Sequence, residues 1–142
     1  MLHDQYTGGK AVSLLLVEDD DVDVRAMKRA MAELHLTNPL FIAHNGIEAL
    51  EYLRGENGRP RVQMPYIVML DLNMPKMNGI AFLSELRRID KAVNIPVIMM
   101  SGEMVDDAIR DEGMSLGTID FFEKPLQLPA LLERVDTFFE KE

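Results

Sequence analysis

Five side chains in this 142-residue sequence have the types that chemistry needs, and they stand at the ends of four short runs that read as strands. Leu14-Leu15-Leu16-Val17 ends at Glu18 and Asp19, and Tyr66-Ile67-Val68-Met69-Leu70 ends at Asp71. Ile95-Pro96-Val97-Ile98-Met99-Met100 ends at Ser101, and Asp120-Phe121-Phe122-Glu123 ends at Lys124. If the runs are parallel strands, these residues meet at one edge of a sheet. Two carboxylates about 4 Å apart repel by about 4 kcal/mol at an effective dielectric near 20, so three together call for a cation. A hard ion with oxygen ligands, Mg²⁺ above all, removes that repulsion and keeps open positions for phosphate oxygens. With Lys124 to neutralise charge, Ser101 to donate a hydrogen bond and a carboxylate as nucleophile, the set describes a phosphoryl site.

Taken singly, each residue has a plainer reading. The acidic run Glu18 to Asp21 suits a helix N-terminus, where the macrodipole favours negative charge. Asp71, followed by Pro75 and Gly79, fits an ordinary turn. Ser101 fits a cap, and Lys124 a solvated surface. Four such readings must hold at four strand ends at once, and that coincidence favours a common site. His3, His35 and His44 lack metal-ligand spacing and receive no role.

The elements that must position the site follow from apolar spacing. Val24, Met27, Met31 and Leu34 mark one face of a helix, and Leu40-Phe41-Ile42-Ala43 a second strand. Asn45 with Glu48 reads as a helix cap, followed by a stripe of Ile47, Leu50 and Leu53. Residues 55–65 form a loop longer than usual. Ile80, Leu83 and Leu86 predict a third helix, and Met104, Val105, Ala108 and Ile109 a fourth, ended with help from Gly113. Pro129 suits the first turn of a last helix, with Leu131, Leu132, Val135, Phe138 and Phe139 on its apolar face. Strand and helix alternate five times. That pattern predicts an α/β fold, an open doubly wound parallel sheet with helices on both faces and right-handed crossovers.

Composition bounds the function further. The net charge of −9 argues against nucleic acid and anionic membrane partners, and the lack of cysteine excludes thiol chemistry. No apolar run approaches membrane-spanning length and no basic-then-apolar signal pattern opens the chain, so a cytoplasmic protein is expected. Residues 1–10 read as a loose N-terminal tail and 11–142 as one domain.

Four segments together carry a resemblance. Leu14 to Asp19, Leu70-Asp71-Leu72-Asn73-Met74-Pro75-Lys76-Met77-Asn78-Gly79, Val97 to Gly102, and Asp120-Phe121-Phe122-Glu123-Lys124-Pro125 resemble, in order and spacing, the response-regulator receiver domains of two-component signalling. The likeness spans residue 11 to about 140. It implies a flavodoxin-like sheet in strand order 2-1-3-4-5. It also implies Asp71 as phosphoacceptor from a sensor histidine kinase or phosphotransfer protein. Glu18, Asp19, Asp71 and the backbone carbonyl of Asn73 would hold Mg²⁺. Ser101 and Lys124 would bind the phosphoryl group, and Phe121, with Ser101, would switch. Lys124-Pro125 resembles a bond that is usually cis in the family. Glu18, Ser101 and Phe121 replace the commoner Asp, Thr and Tyr; Asn73 and Glu103 stand where the family tunes hydrolysis, and Gly102 leaves the site uncrowded. The long loop after the second helix resembles stand-alone receivers that partner phytochrome-type kinases.

On this reading the chain is a stand-alone regulator, not an enzyme with substrate turnover, and it signals through altered affinity for a downstream protein. A homodimer through the face that ends in Phe138 and Phe139 is an open alternative use of that surface. A non-phosphorylated pseudo-receiver is the main rival. An Asp-nucleophile phosphatase is a lesser one, because Asn73 stands where haloacid dehalogenase-like phosphatases place their acid. A flavodoxin-like cofactor binder lacks a phosphate loop after strand one.

Overall fold

Uninterrupted apolar residues form the middle of β1 (Ser13–Val17), and every residue of that strand is buried. The computed structural model describes residues 12–60, 66–72, 77–90, 95–102, 104–124 and 127–140. After β1 come α1 (Asp21–Glu33), β2 (Leu40–Ala43), α2 (Gly46–Arg54), β3 (Tyr66–Asp71) and α3 (Gly79–Asp90). Then follow β4 (Val97–Ser101), α4 (Asp107–Ser115), β5 (Thr118–Glu123) and α5 (Leu128–Glu140). The strands pair in parallel in the order β2-β1-β3-β4-β5, as expected. The tail over residues 1–10 lies outside the described residues, as do positions 61–65 of the long loop.

Pleating divides the core into two layers. Leu15 and Val17 of β1 pack with Ala49, Leu50 and Leu53 of α2 and Phe82, Leu83 and Leu86 of α3. Leu14 and Leu16 point to the other face, against Val24, Met27 and Met31 of α1 and Leu128, Leu131 and Leu132 of α5. Strands buried on both faces read as continuous apolar runs, as β1, β3 and β4 do. β2 lies at an edge, and its first three residues are only half-buried.

Local details depart from the periodicity reading. Ile47 is 45% exposed; the buried face of α2 is Gly46, Ala49, Leu50 and Leu53, so two small residues pack where a large one was expected. α4 begins at Asp107, capped by the Asp106 carboxylate, which accepts from the Ile109 N–H at 2.9 Å. Met104 therefore precedes the helix and is 87% exposed, and Ala108 is exposed as well. Gly113 lies inside α4 rather than ending it; the turn beyond the helix holds Gly117 at φ +91°. A Cβ on Gly113 would sit 2.6 Å from Cζ of Phe121, so the glycine permits helix and β5 to approach closely. Pro129 falls in the first turn of α5, as expected. The side chains of Val135, Phe138 and Phe139 are outside the described set.

Candidate functional site

The chain turns back at the carboxyl end of β1: β2 lies on one side of it and β3 on the other. Such a reversal of strand order opens a crevice at the strand ends. Glu18 follows β1, and its N–H continues the ladder by donating to the Ala43 carbonyl at 2.9 Å. Asp71 is the last residue of β3 and aligns with Met100. Ser101 ends β4, and its carbonyl accepts from the Lys124 N–H at 2.8 Å, which places the lysine at the same edge.

The structure thus brings Glu18, Asp19, Asp71, Ser101 and Lys124 to one end of the sheet. Glu18, Asp71 and Ser101 are buried, with Glu18 only 1% exposed, whereas Asp19 faces solvent. One carboxylate oxygen from each of Glu18, Asp19 and Asp71 lies within 4.8 Å of the others. The Lys124 ammonium reaches Glu18 Oε1 at 2.7 Å and Asp71 Oδ2 at 3.1 Å. It also reaches Asp23 Oδ2 on α1 at 3.0 Å. Asn73, Glu103 and Pro125 lie outside the described residues, so the carbonyl ligand, the hydrolysis-tuning pair and the Lys124-Pro125 bond do too. Gly102 is exposed, and a Cβ built there would meet nothing within 4 Å.

The electrostatics follow from crowding. Burial pushes the Glu18 carboxyl up to about 7; Asp71 adds to the rise and Lys124 opposes it. Burial also works against the Lys124 charge, but its hydrogen bonds to Glu18 and Asp23 and the charges of Glu18 and Asp71 outweigh it, so its pKa lies above the ordinary lysine value. Three carboxylates around one ammonium, with Asp19 beside them, leave the crevice negative. Oxygen donors at this spacing, one of them open to water, fit a hard divalent cation.

Phe121 is half-buried, in register with Met99, and packs against the core layer under α3 and α4. The Arg110 guanidinium of α4 sits 4.8 Å over its ring. Sequence reasoning missed Asp23 and Arg110. For Asp23 a signal existed: it is four residues before Met27 and so borders the buried stripe of α1.

Residues 14–136 match the family model of the response regulator receiver domain. The chain belongs to that family. The receiver is 32% identical over 123 residues to the Probable methanogenesis regulatory protein FilR2 of Methanothrix harundinacea, covering 87% of this chain and 78% of that protein. It spans smaller shares, 49% to 13%, of several other curated relatives. A two-component response regulator from Legionella pneumophila superposes with a TM-score of 0.78 at 29% identity, covering 89% of this chain and 97% of that one. The bacteriophytochrome response regulator AtBRR does so at 0.74 and 26%, covering 91% and 93%. The Mn²⁺-bound form of response regulator Rcp1 superposes at 0.68 and 25% identity, covering 89% and 90%. Receiver domains bind a divalent metal at this acidic pocket, and the carboxylates here fit one. Among the described residues no helix is long and apolar enough to cross a membrane.

Proposed function

We propose that this receiver takes a phosphoryl group onto Asp71 from the phosphohistidine of a sensor histidine kinase or phosphotransfer protein. The observation that carries the reading is the Asp71 carboxylate: buried, 3.1 Å from the Lys124 ammonium, and in one cluster with Glu18 and Asp19. An Asp71 oxygen attacks phosphorus as the P–N bond breaks, and the electron pair leaves with the imidazole, which takes a proton from solvent. Glu18, Asp19, Asp71 and the Asn73 carbonyl are assigned to Mg²⁺, which when bound supplies neutralising charge to the phosphoryl oxygens. Lys124 and the Ser101 hydroxyl donate hydrogen bonds to those oxygens. Their inward pull biases the position of Phe121 and the surface of α4, β5 and α5, so that affinity for a downstream protein changes.

On this reading the domain, residues 11–142 with a tail over 1–10, acts on its own phosphorylation and turns over no separate substrate. We assign it a stand-alone, cytoplasmic role. Its likeness to AtBRR supports pairing with a phytochrome-type kinase, and a homodimer is a further form to look for. The test is intact mass after incubation with acetyl phosphate and Mg²⁺, with and without chelator, beside Asp71→Asn. A single Mg²⁺-dependent adduct that vanishes in the variant is expected. No adduct on a folded, Mg²⁺-binding protein points instead to a pseudo-receiver that binds partners without phosphorylation.

A further inference from the structure

An ammonium has three N–H donors, and the Lys124 ammonium faces three carboxylates within 3.1 Å: Glu18, Asp23 and Asp71. A phosphoryl oxygen on Asp71 can gain this lysine only if one of these bonds yields. Glu18 is the shortest contact and is buried, and Asp71 is itself the atom group that carries the phosphoryl, so its bond is redirected rather than abandoned. Asp23 is different on three counts. It projects from α1 rather than from a strand end, it is not part of the carboxylate cluster of Glu18, Asp19 and Asp71, and its side chain is 37% exposed, so water can replace the lysine there. A cavity of about 100 Å³ lies beside this pair, lined by Leu16, Ala26, Met27, Met100 and Leu128 as well as by Asp23 and Lys124. Asp23 and Lys124 thus meet at the rim of open space rather than within packed core.

We propose that Asp23 is a positioning residue: it holds Lys124 in a resting position, in competition with the phosphoryl group, and so restrains phosphoryl uptake. The inference rests on Asp71 as phosphoacceptor and adds a control to that site. It differs from a helix-terminus role, which the first-turn position of Asp23 would also allow, because that role acts on stability and does not depend on Lys124.

The test is a double-mutant cycle on uptake of the phosphoryl group from acetyl phosphate at saturating Mg²⁺, using Asp23→Asn, Lys124→Gln and the double variant, with thermal denaturation of each. A half-exposed ion pair predicts that Asp23→Asn speeds uptake by about two- to fivefold in the wild-type background. In the Lys124→Gln background the same change is expected to have no effect. Equal acceleration in both backgrounds reveals a general field effect on the anionic donor and overturns the proposal, as does unchanged or slower uptake by Asp23→Asn. A loss of Mg²⁺ affinity of tenfold or more (on the order of 1.4 kcal/mol) in Asp23→Asn, read by calorimetry, makes Asp23 a metal ligand and likewise overturns it. If the wild type itself forms no adduct while it binds Mg²⁺, the phosphoacceptor reading fails first and this control falls with it.

Discussion

Glu18 shows how one residue couples the site to the stability of the fold. Its carboxyl is buried at the end of β1 beside Asp71, and burial raises its pKa to about 7, above the ordinary 4.5. A carboxyl whose folded pKa is raised favours the folded state fully at pH below 4.5, and that contribution is lost as pH climbs through 7. In the metal-free protein, stability attributable to this group should therefore fall between about pH 4.5 and 7, by on the order of 2 kcal/mol. Lys124, whose pKa is raised above 10.5, loses its contribution only at alkaline pH, and Glu48 and Glu51, whose pKa values are lowered, act below 4.5. None of the three sets the slope in the neutral window. Glu18→Gln keeps the shape and removes the charge. Denaturant titrations of metal-free protein at pH 5.5 and 8 should show the variant more stable than wild type at pH 8 and closer to it at pH 5.5. A wild-type pH dependence left intact in the variant would assign the slope elsewhere.

At the scale of elements, α4 shows both what the sequence conveyed and what it hid. The strands were legible because β1, β3 and β4 are buried on both faces, which leaves unbroken apolar runs such as Ile67 to Leu70. Glu18, Asp71 and Ser101 were legible for the same reason, since each buried run stops at one of these polar residues, whereas Lys124 follows the half-buried Phe121 and Phe122 and the exposed Glu123. α4 was legible in part: Val105 and Ile109 do pack against the core, but the helix starts only at Asp107 and its one buried residue among those described is Gly113, and a glycine leaves no mark in an apolar pattern. Ile47 misled in the opposite way: the packing of α2 uses Gly46 and Ala49, and the larger side chain is left outside. Asp23 stayed hidden because acids in a first helical turn are ordinary. The close approach at Gly113 yields a prediction. Alanine there gains about 1 kcal/mol of helix propensity, but its Cβ would meet Phe121 Cζ at 2.6 Å, and overpacking costs about 1–3 kcal/mol. Gly113→Ala should lower stability by about 1 kcal/mol on balance. Adding Phe121→Leu should recover part of that loss, and strictly additive effects in denaturant melts would show that the two residues do not meet as described.

Across the whole molecule, the sheet places its negative end where its strand order reverses, and the two core layers are fixed to that end from opposite faces. α1 and α5 pack on one side, beneath Asp23 and Lys124, while α3 and α4 pack on the other, beneath Phe121. Charge added or removed at the crevice is therefore felt by the whole domain, which unfolds as a unit if it behaves as domains of this size do. A divalent cation that binds only the folded state stabilises it by about 2.7 kcal/mol at a hundred times its dissociation constant. For a chain of this length that corresponds to a rise in Tm of roughly 5–10 °C. Because the cation competes with a proton on Glu18, whose pKa is about 7, the gain should be larger at pH 8 than at pH 6 at the same Mg²⁺ concentration. The sign is opposite to that of the metal-free protein, in which rising pH weakens the fold. Thermal melts at the two pH values, with Mg²⁺ and with chelator, separate the two effects. Asp71→Asn removes one carboxylate of the cluster and should shrink the Mg²⁺-dependent rise while raising the melting temperature in chelator, since one fewer like charge remains in the crevice. A Mg²⁺ gain equal at both pH values, or untouched by Asp71→Asn, would place the cation away from this carboxylate cluster.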